Sequence, residues 1–209
     1  MTAADERARL VRHLELNGIR DRRVLDAIGR VPRERFIPQE LAAEAYEDRA
    51  LPIGEGQTIS QPYVVARMTE LLDPRPEDHV LDVGGGSGYQ AAVLAELVRD
   101  VVSIERQPTL AAAEKARLGT LGYTNVRVVH GDASTGYAEA APYDKILVAA
   151  AAPALHPGLV AQCAPEGRIV APIGPRDGQT LVVQHGDGRV ERVGPVGFVP
   201  LLGEGGFER

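Results

Sequence analysis

The chain has 209 residues, 44% of them hydrophobic and 25% charged, which is enough for one sizeable globular core with a modest extension and argues against disorder. A net charge of −6 without any Lys/Arg cluster speaks against nucleic-acid binding. No apolar run approaches the ~18 residues of a membrane span, and the polar start MTAADERARL lacks a signal-peptide core. The lone Cys163 cannot form an intrachain disulfide, so a reducing cytoplasm is the expected compartment.

Taken in order, residues 4–17 place Leu10, Val11, Leu14 and Leu16 at helical spacing before Gly18, and residues 21–29 repeat the pattern with Val24, Leu25 and Ile28. VPRERFIP, bounded by Pro32 and Pro38, interrupts regular structure. Residues 46–63, YEDRALPIGEGQTISQPY, contain no periodic element yet are not low in complexity, so a functional loop is expected there. Residues 64–72 return to helical spacing. Residues 1–75 thus read as a helical cap with a substrate loop, packed on a core of residues 76–209.

That core opens with HVLDV, a short buried strand, followed by a turn built from Gly84, Gly85, Gly86 and Gly88 and then by helical spacing from Tyr89 onward. Residues 100–107 form a second strand containing Glu105, residues 109–121 a helix, 125–132 a third strand and 143–152 a fourth. HPGLVAQCA reads as a crossover helix with Cys163 in the core, and GRIVAPIG with the following segment as a strand and a hairpin turning at Gly186-Asp187-Gly188. Alternating strands and helices predict an α/β fold with a mostly parallel sheet.

The chemistry concentrates at the strand ends. A glycine turn before a helix N-terminus lets a cofactor approach the backbone. Position 89 is Tyr, so the pattern G-x-G-x-x-G fails at its last glycine, which disfavours a nicotinamide-dependent oxidoreductase. Glu105, 21 positions after Gly84, is near the spacing at which an acidic residue binds ribose hydroxyls in dinucleotide folds, and reads as that contact or as a solvated strand end. Asp82 reads as a contact to the amino-acid part of a charged cofactor or as a surface carboxylate. Asp132 reads as an adenine-amine contact or as a turn cap. Thr58, Ser60 and Gln61 are ordinary turn chemistry or a binding loop, and Ser60 has no sequence-adjacent His–Asp partner that would make it a hydrolase nucleophile. The five histidines lack metal-ligand spacing, so no metal is expected.

Several blocks together, VPRERFIP, AYEDRALPIGEGQTISQP, VLDVGGGSGYQAAVLAEL, SIER, NVRVVHGD, APYDKILVAAAAP, GRIVAPIG and FVPLLG, resemble the protein-L-isoaspartate O-methyltransferase family. The resemblance implies a Rossmann-like S-adenosylmethionine-dependent methyltransferase fold, with helices on both sheet faces and an N-terminal helical extension. It implies methylation of the α-carboxylate of L-isoaspartyl residues in damaged proteins or peptides, by a monomer needing neither nucleic acid nor membrane. A related carboxylate methyltransferase of a biosynthetic peptide is the alternative. By motif match, Asp82, Gly84, Gly86, Gly88, Glu105, Asp132 and Ala133 would hold S-adenosylmethionine. Ser60 falls on the active-site serine, and Thr58, Ile59, Ala151 and Pro153 would face the peptide. Two positions depart from the usual family pattern. Ala133 replaces a glycine, which would strain the backbone only at a positive φ, and Glu166 replaces another in Pro165-Glu166-Gly167.

Overall fold

The structure is a computed structural model describing residues 2–208. Helix α1 (Ala3–Leu16) starts at a capping box in which Thr2 Oγ1 accepts from Asp5 N at 3.2 Å and the Asp5 carboxylate accepts from Thr2 N at 2.9 Å. Asp21 caps α2 (Arg22–Arg30) by accepting from Arg23 N at 2.8 Å. The two helices turn Leu10, Leu14, Val24, Leu25 and Ile28 inward. Arg33 to Phe36 form a 3-10 turn where the prolines break regularity.

The stretch expected to be an irregular loop contains a hairpin. β1 (Leu51–Gly54) pairs antiparallel with β2 (Gln57–Ile59), Leu51 opposite Ile59. The strands are too short and too glycine-interrupted to show alternation, but buried Leu51 and Ile59 anchor both to the core. Helix α3 (Pro62–Leu72) follows with proline in its first turn.

β3 (His79–Val83), α4 (Tyr89–Ala95), β4 (Asp100–Glu105), α5 (Pro108–Thr120), β5 (Val126–His130), β6 (Tyr143–Val148), α6 (Pro157–Val160), β7 (Cys163–Ile173), β8 (Gln179–His185) and β9 (Val190–Val196) complete the chain. The sheet order is β5-β4-β3-β6-β7-β8-β9, with the first five strands parallel, β8 antiparallel to β7 and β9 antiparallel to β8. Strand order reverses at β3, and the crevice beyond the carboxyl ends of β3 and β6 is where such sheets bind ligands.

Alternation along β3 feeds two apolar clusters: Val80 faces one with α1 to α4, and Leu81 and Val83 face the other. The second face is covered mainly by α6, two 3-10 turns and the C-terminal segment. The expected crossover helix is a single turn because Gln162 bends the chain toward β7. Its amide accepts from Tyr137 N at 2.7 Å and donates to Thr135 O at 2.8 Å and Gly158 O at 2.9 Å. Cys163 therefore begins β7, half-buried, with its thiol pushed up to about 11 by burial. Among the described residues no helix is long and apolar enough to cross a membrane.

One buried cation ties the N-terminal segment to α4. Arg33 is fully enclosed, donates from Nε to Ala45 O at 2.9 Å, and lies with its guanidinium carbon 5.0 Å from the Tyr89 ring centroid. Arg33→Ala should cost about 3–5 kcal/mol, through a cavity plus unpaired carbonyls, read as a lower urea midpoint at unchanged slope.

Candidate active site

The turn after β3 crosses onto β4. Gly84 N and Gly85 N both donate to Ile104 O, at 2.9 and 3.3 Å, and the positive φ values of Gly84, Gly86 and Gly88 carry the backbone around to α4. Glu105, at the end of β4 and 7% exposed, accepts from Gly86 N at 2.9 Å with Oε2 and from Gln107 N at 2.7 Å with Oε1. Each carboxylate oxygen keeps capacity for another donor.

Two adjoining hollows meet over this turn. Thr58, Gly84, Gly86 and Ala149 line both. The inner one is completed by Ile59, Ser60, Met68, Tyr89, Gln90 and Phe198, the outer one by Gln57, Glu105, Arg106, Gln107, Ala133 and the 199–202 segment. The residues that sequence reasoning assigned are thus brought together at Thr58, Ile59, Ser60, Gly84, Gly86, Glu105 and Ala133. A roomier hollow of about 340 Å³ between α1 and residues 43–48 includes neither the glycine turn nor the strand ends in its walls.

Other assigned residues lie elsewhere. Asp132 caps a 3-10 turn: its Oδ1 accepts from Ser134 N and Oγ at 2.9 and 2.7 Å, and its Oδ2 from Glu204 N at 3.0 Å. Partial burial alone would raise its pKa, but these bonds prevail and hold it below the ordinary carboxylate range. Ala151 N donates to Val199 O at 2.8 Å and its carbonyl accepts from Leu201 N at 2.7 Å, so the C-terminal segment already occupies its backbone. Pro153 is exposed and outside both hollows. Ala133 adopts no positive φ, since among the described residues only Glu55 and Asp73 do so without being glycine, and its methyl group simply joins the outer wall. Gln57, Arg106, Gln107, Gln90 and Phe198 were not singled out from sequence. Family blocks covered Gln57, Gln90, Arg106 and Phe198, and none reached Gln107.

Asp82 lies under the turn, fully buried, with neither oxygen hydrogen-bonded among the described residues. Beside it, Ser103 Oγ donates to Glu114 Oε1 at 2.7 Å, Glu114 reaching inward from α5. A Cβ at Gly85 would land on Glu114 and Ser103, so the bare turn and the buried acid require one another. Gly88 packs against the Glu114 side chain as it enters α4. Arg117 Nη1 holds the turn from outside through Ser87 O at 2.6 Å. Burial, with Glu105 nearby, pushes Asp82 up to about 7. Burial likewise pushes Glu114 up to about 8, the nearby carboxylates adding to it and the Ser103 bond opposing. The histidines serve local contacts: His79 stacks on Tyr143, His130 meets Arg106 O and His185 pairs with Glu191. Among the described residues no cluster of three or more His, Cys, Asp or Glu is placed to hold a metal ion.

Both raised carboxyls stay protonated in the folded chain at a pH where the unfolded chain has lost those protons. Their stabilisation is complete below the ordinary carboxylate range and is lost as pH climbs through about 7 to about 8. Glu114→Gln, which still accepts from Ser103, should flatten that decline by ~3 kcal/mol between pH 5 and 8 in urea titrations.

The family model for protein-L-isoaspartate(D-aspartate) O-methyltransferase matches residues 5–206. The chain is 52% identical over 210 residues to the protein-L-isoaspartate O-methyltransferase of Methanoregula boonei, covering 98% of this chain and 96% of that one. It is also 52% identical over 206 residues to the one from Methylorubrum populi, covering 97% of each. A solved protein-L-isoaspartate O-methyltransferase superposes with a TM-score of 0.85 at 27% identity, over 95% of this chain and 66% of that one. A Plasmodium falciparum protein-L-isoaspartate O-methyltransferase in complex with S-adenosyl-L-homocysteine superposes at 0.80 and 26% identity, over 94% and 98% of the two chains. Sheet order, glycine turn and near full-length similarity agree, and the chain belongs to the protein-L-isoaspartate(D-aspartate) O-methyltransferase family.

Proposed function

We infer that this chain methylates the α-carboxylate of L-isoaspartyl residues in damaged proteins and peptides, starting their repair through a succinimide. The observation that carries the reading is the shared wall of the two hollows: Ser60 borders one, Glu105 the other, and Thr58, Gly84, Gly86 and Ala149 border both. S-adenosylmethionine, when bound, supplies an electrophilic methyl group on a sulfonium.

The outer hollow suits its nucleoside. Glu105 offers two charged acceptor oxygens to ribose hydroxyls, Gly84 and Gly86 present bare backbone, and Ala133 forms the wall beside the base while Asp132 fixes that wall from behind. Asp82 and Gly88 support this cradle from beneath and contribute no wall. A peptide carboxylate in the inner hollow would lie beside Thr58, Ile59 and Phe198 and accept from the Ser60 hydroxyl.

That carboxylate is ionised at neutral pH, so displacement along the sulfonium axis needs no general base. What the residues contribute is alignment, which can supply up to roughly 7–11 kcal/mol, and the removal of water from the nucleophile. Ser60 is suited to this because a neutral hydroxyl orients the oxygen without the strong ground-state clamp that a cation would impose. We place the enzyme in the cytoplasm as a monomer, a setting that suits the lone Cys163.

Methyl-ester formation should occur on an isoaspartyl peptide and not on its aspartyl twin. Ester on both would point to another carboxylate substrate, and ester on neither would reject the assignment. Ser60→Ala should lower kcat by roughly 10–100-fold with little change in cofactor affinity. Glu105→Ala should instead weaken S-adenosylhomocysteine by ~1.5–3 kcal/mol for each charged hydrogen bond lost, measured calorimetrically on protein whose circular dichroism is unchanged.

A further inference from the structure

Ser60 is a single residue between two fixed ends. Before it, Ile59 is buried in β2 and paired with Leu51; after it, Gln61 occupies the N-cap of α3 without a side-chain bond to the helix. The cap is supplied from elsewhere. Asp48, three residues before β1, accepts from Tyr63 N at 2.8 Å with Oδ1 and from Gln61 Nε2 at 3.1 Å with Oδ2, while His13 of α1 approaches the same Oδ2 at 3.3 Å. The Asp48 side chain is 19% exposed, so these bonds are partly shielded from water.

One carboxylate therefore closes the base of the hairpin. The chain leaves Asp48, passes through β1 and β2, presents Ser60 and returns to Asp48 at Gln61 and Tyr63. Without these bonds the first turn of α3 loses its side-chain acceptor at Tyr63 N, and Gln61, next to Ser60, keeps only its backbone bond from Val65 N at 3.1 Å among the described residues. We propose that Asp48 is a positioning residue for methyl transfer, fixing the Ser60 hydroxyl against the inner hollow by clamping the helix entry that follows it. The proposal rests on the reading of Ser60 given above. Asp48 is absent from the walls of both hollows, so its effect on rate would pass through the loop and not through contact with a ligand.

The test compares wild type, Asp48→Ala, Asp48→Asn, Gln61→Ala, Ser60→Ala and the Asp48→Ala/Ser60→Ala double variant. The readouts are kcat and KM on an isoaspartyl peptide, calorimetric affinity for S-adenosylhomocysteine, and melting temperature. Asp48→Ala should lower kcat by ~10–100-fold, as a small misplacement of an aligning group does, while KM and S-adenosylhomocysteine affinity hold. Asp48→Asn should recover most of the rate, since its carbonyl oxygen still accepts from Tyr63 N and Gln61 can turn its amide to match. Gln61→Ala, which cuts one arm of the clamp and spares the helix cap, should show a smaller loss and keeps the test open if Asp48→Ala folds poorly. In the Ser60→Ala background, Asp48→Ala should cost no further rate. Independent, multiplying losses in the double variant, or a parallel fall in S-adenosylhomocysteine affinity, would overturn the role of Asp48 and leave Ser60 untouched. A Ser60→Ala enzyme with wild-type kcat would overturn the Ser60 reading, and this proposal with it.

Discussion

The site depends on a carboxylate that holds two neighbouring loops at once. Parallel pairing sets Asp82 beside Ser103 and Val83 beside Ile104, so the turn leaving β3 emerges over the end of β4. There Glu105 takes the N–H of Gly86 on one side and that of Gln107 on the other. Charged acceptors make the stronger hydrogen bonds, and these lie where little water competes. The same side chain thereby fixes the glycine turn, the entry to α5 and the floor of the outer hollow. The acid proposed to receive the ribose hydroxyls is thus held by two backbone donors.

Beneath that turn the interior is unusually polar. Asp82, opposite Ser103 in the sheet, and Glu114, bonded to Ser103, are both at zero exposure. An ionised pair in that position would be costly, and burial answers by raising both groups, Asp82 to about 7 and Glu114 to about 8, so that they do not carry two full charges together at neutral pH. Steric demand follows: Gly85, which a generic glycine turn leaves free to vary, must be glycine here because Glu114 fills the space its side chain would take. Turn and acid form a matched pair, and a change at one would be tolerated only with a change at the other.

The readability of the chain from sequence follows the strength of local signals. Helices α1 and α2, the strands around the glycine turn and the Gly186–Gly188 hairpin turn rest on capping residues, periodicity and glycine geometry within a few positions, and all were legible. Glu105 was legible because its spacing from Gly84 is set by one glycine turn, one helix and one strand. The β1–β2 hairpin was not, because its strands are shorter than any alternation can reveal. Glu114 was hidden in an alanine-rich helix as a charged residue of the kind that usually faces water. Asp132 and Ala151 line neither hollow: Asp132 accepts from Glu204 N and Ala151 bonds to Val199 and Leu201, in a tail whose path no local pattern dictates.

The hairpin is held unequally at its two ends. Its base is closed by the Asp48 bonds to Gln61 and Tyr63. Its tip is closed by Thr109 Oγ1 donating to Glu55 at 2.8 Å across an exposed surface, in a run of three positive φ values at Gly54, Glu55 and Gly56. The hollows it covers measure about 40 and 70 Å³, far below the ~300 Å³ or more of small-molecule sites. Seating a nucleoside and a peptide carboxylate there, as proposed, calls for more room, and of the two closures the one at the tip is solvent-exposed and the weaker. Opening at the tip would admit ligands along Gly86 and Glu105 while the base, and Ser60 within it, keeps its position. Such an opening would leave in place the hydroxyl proposed to orient the peptide carboxylate.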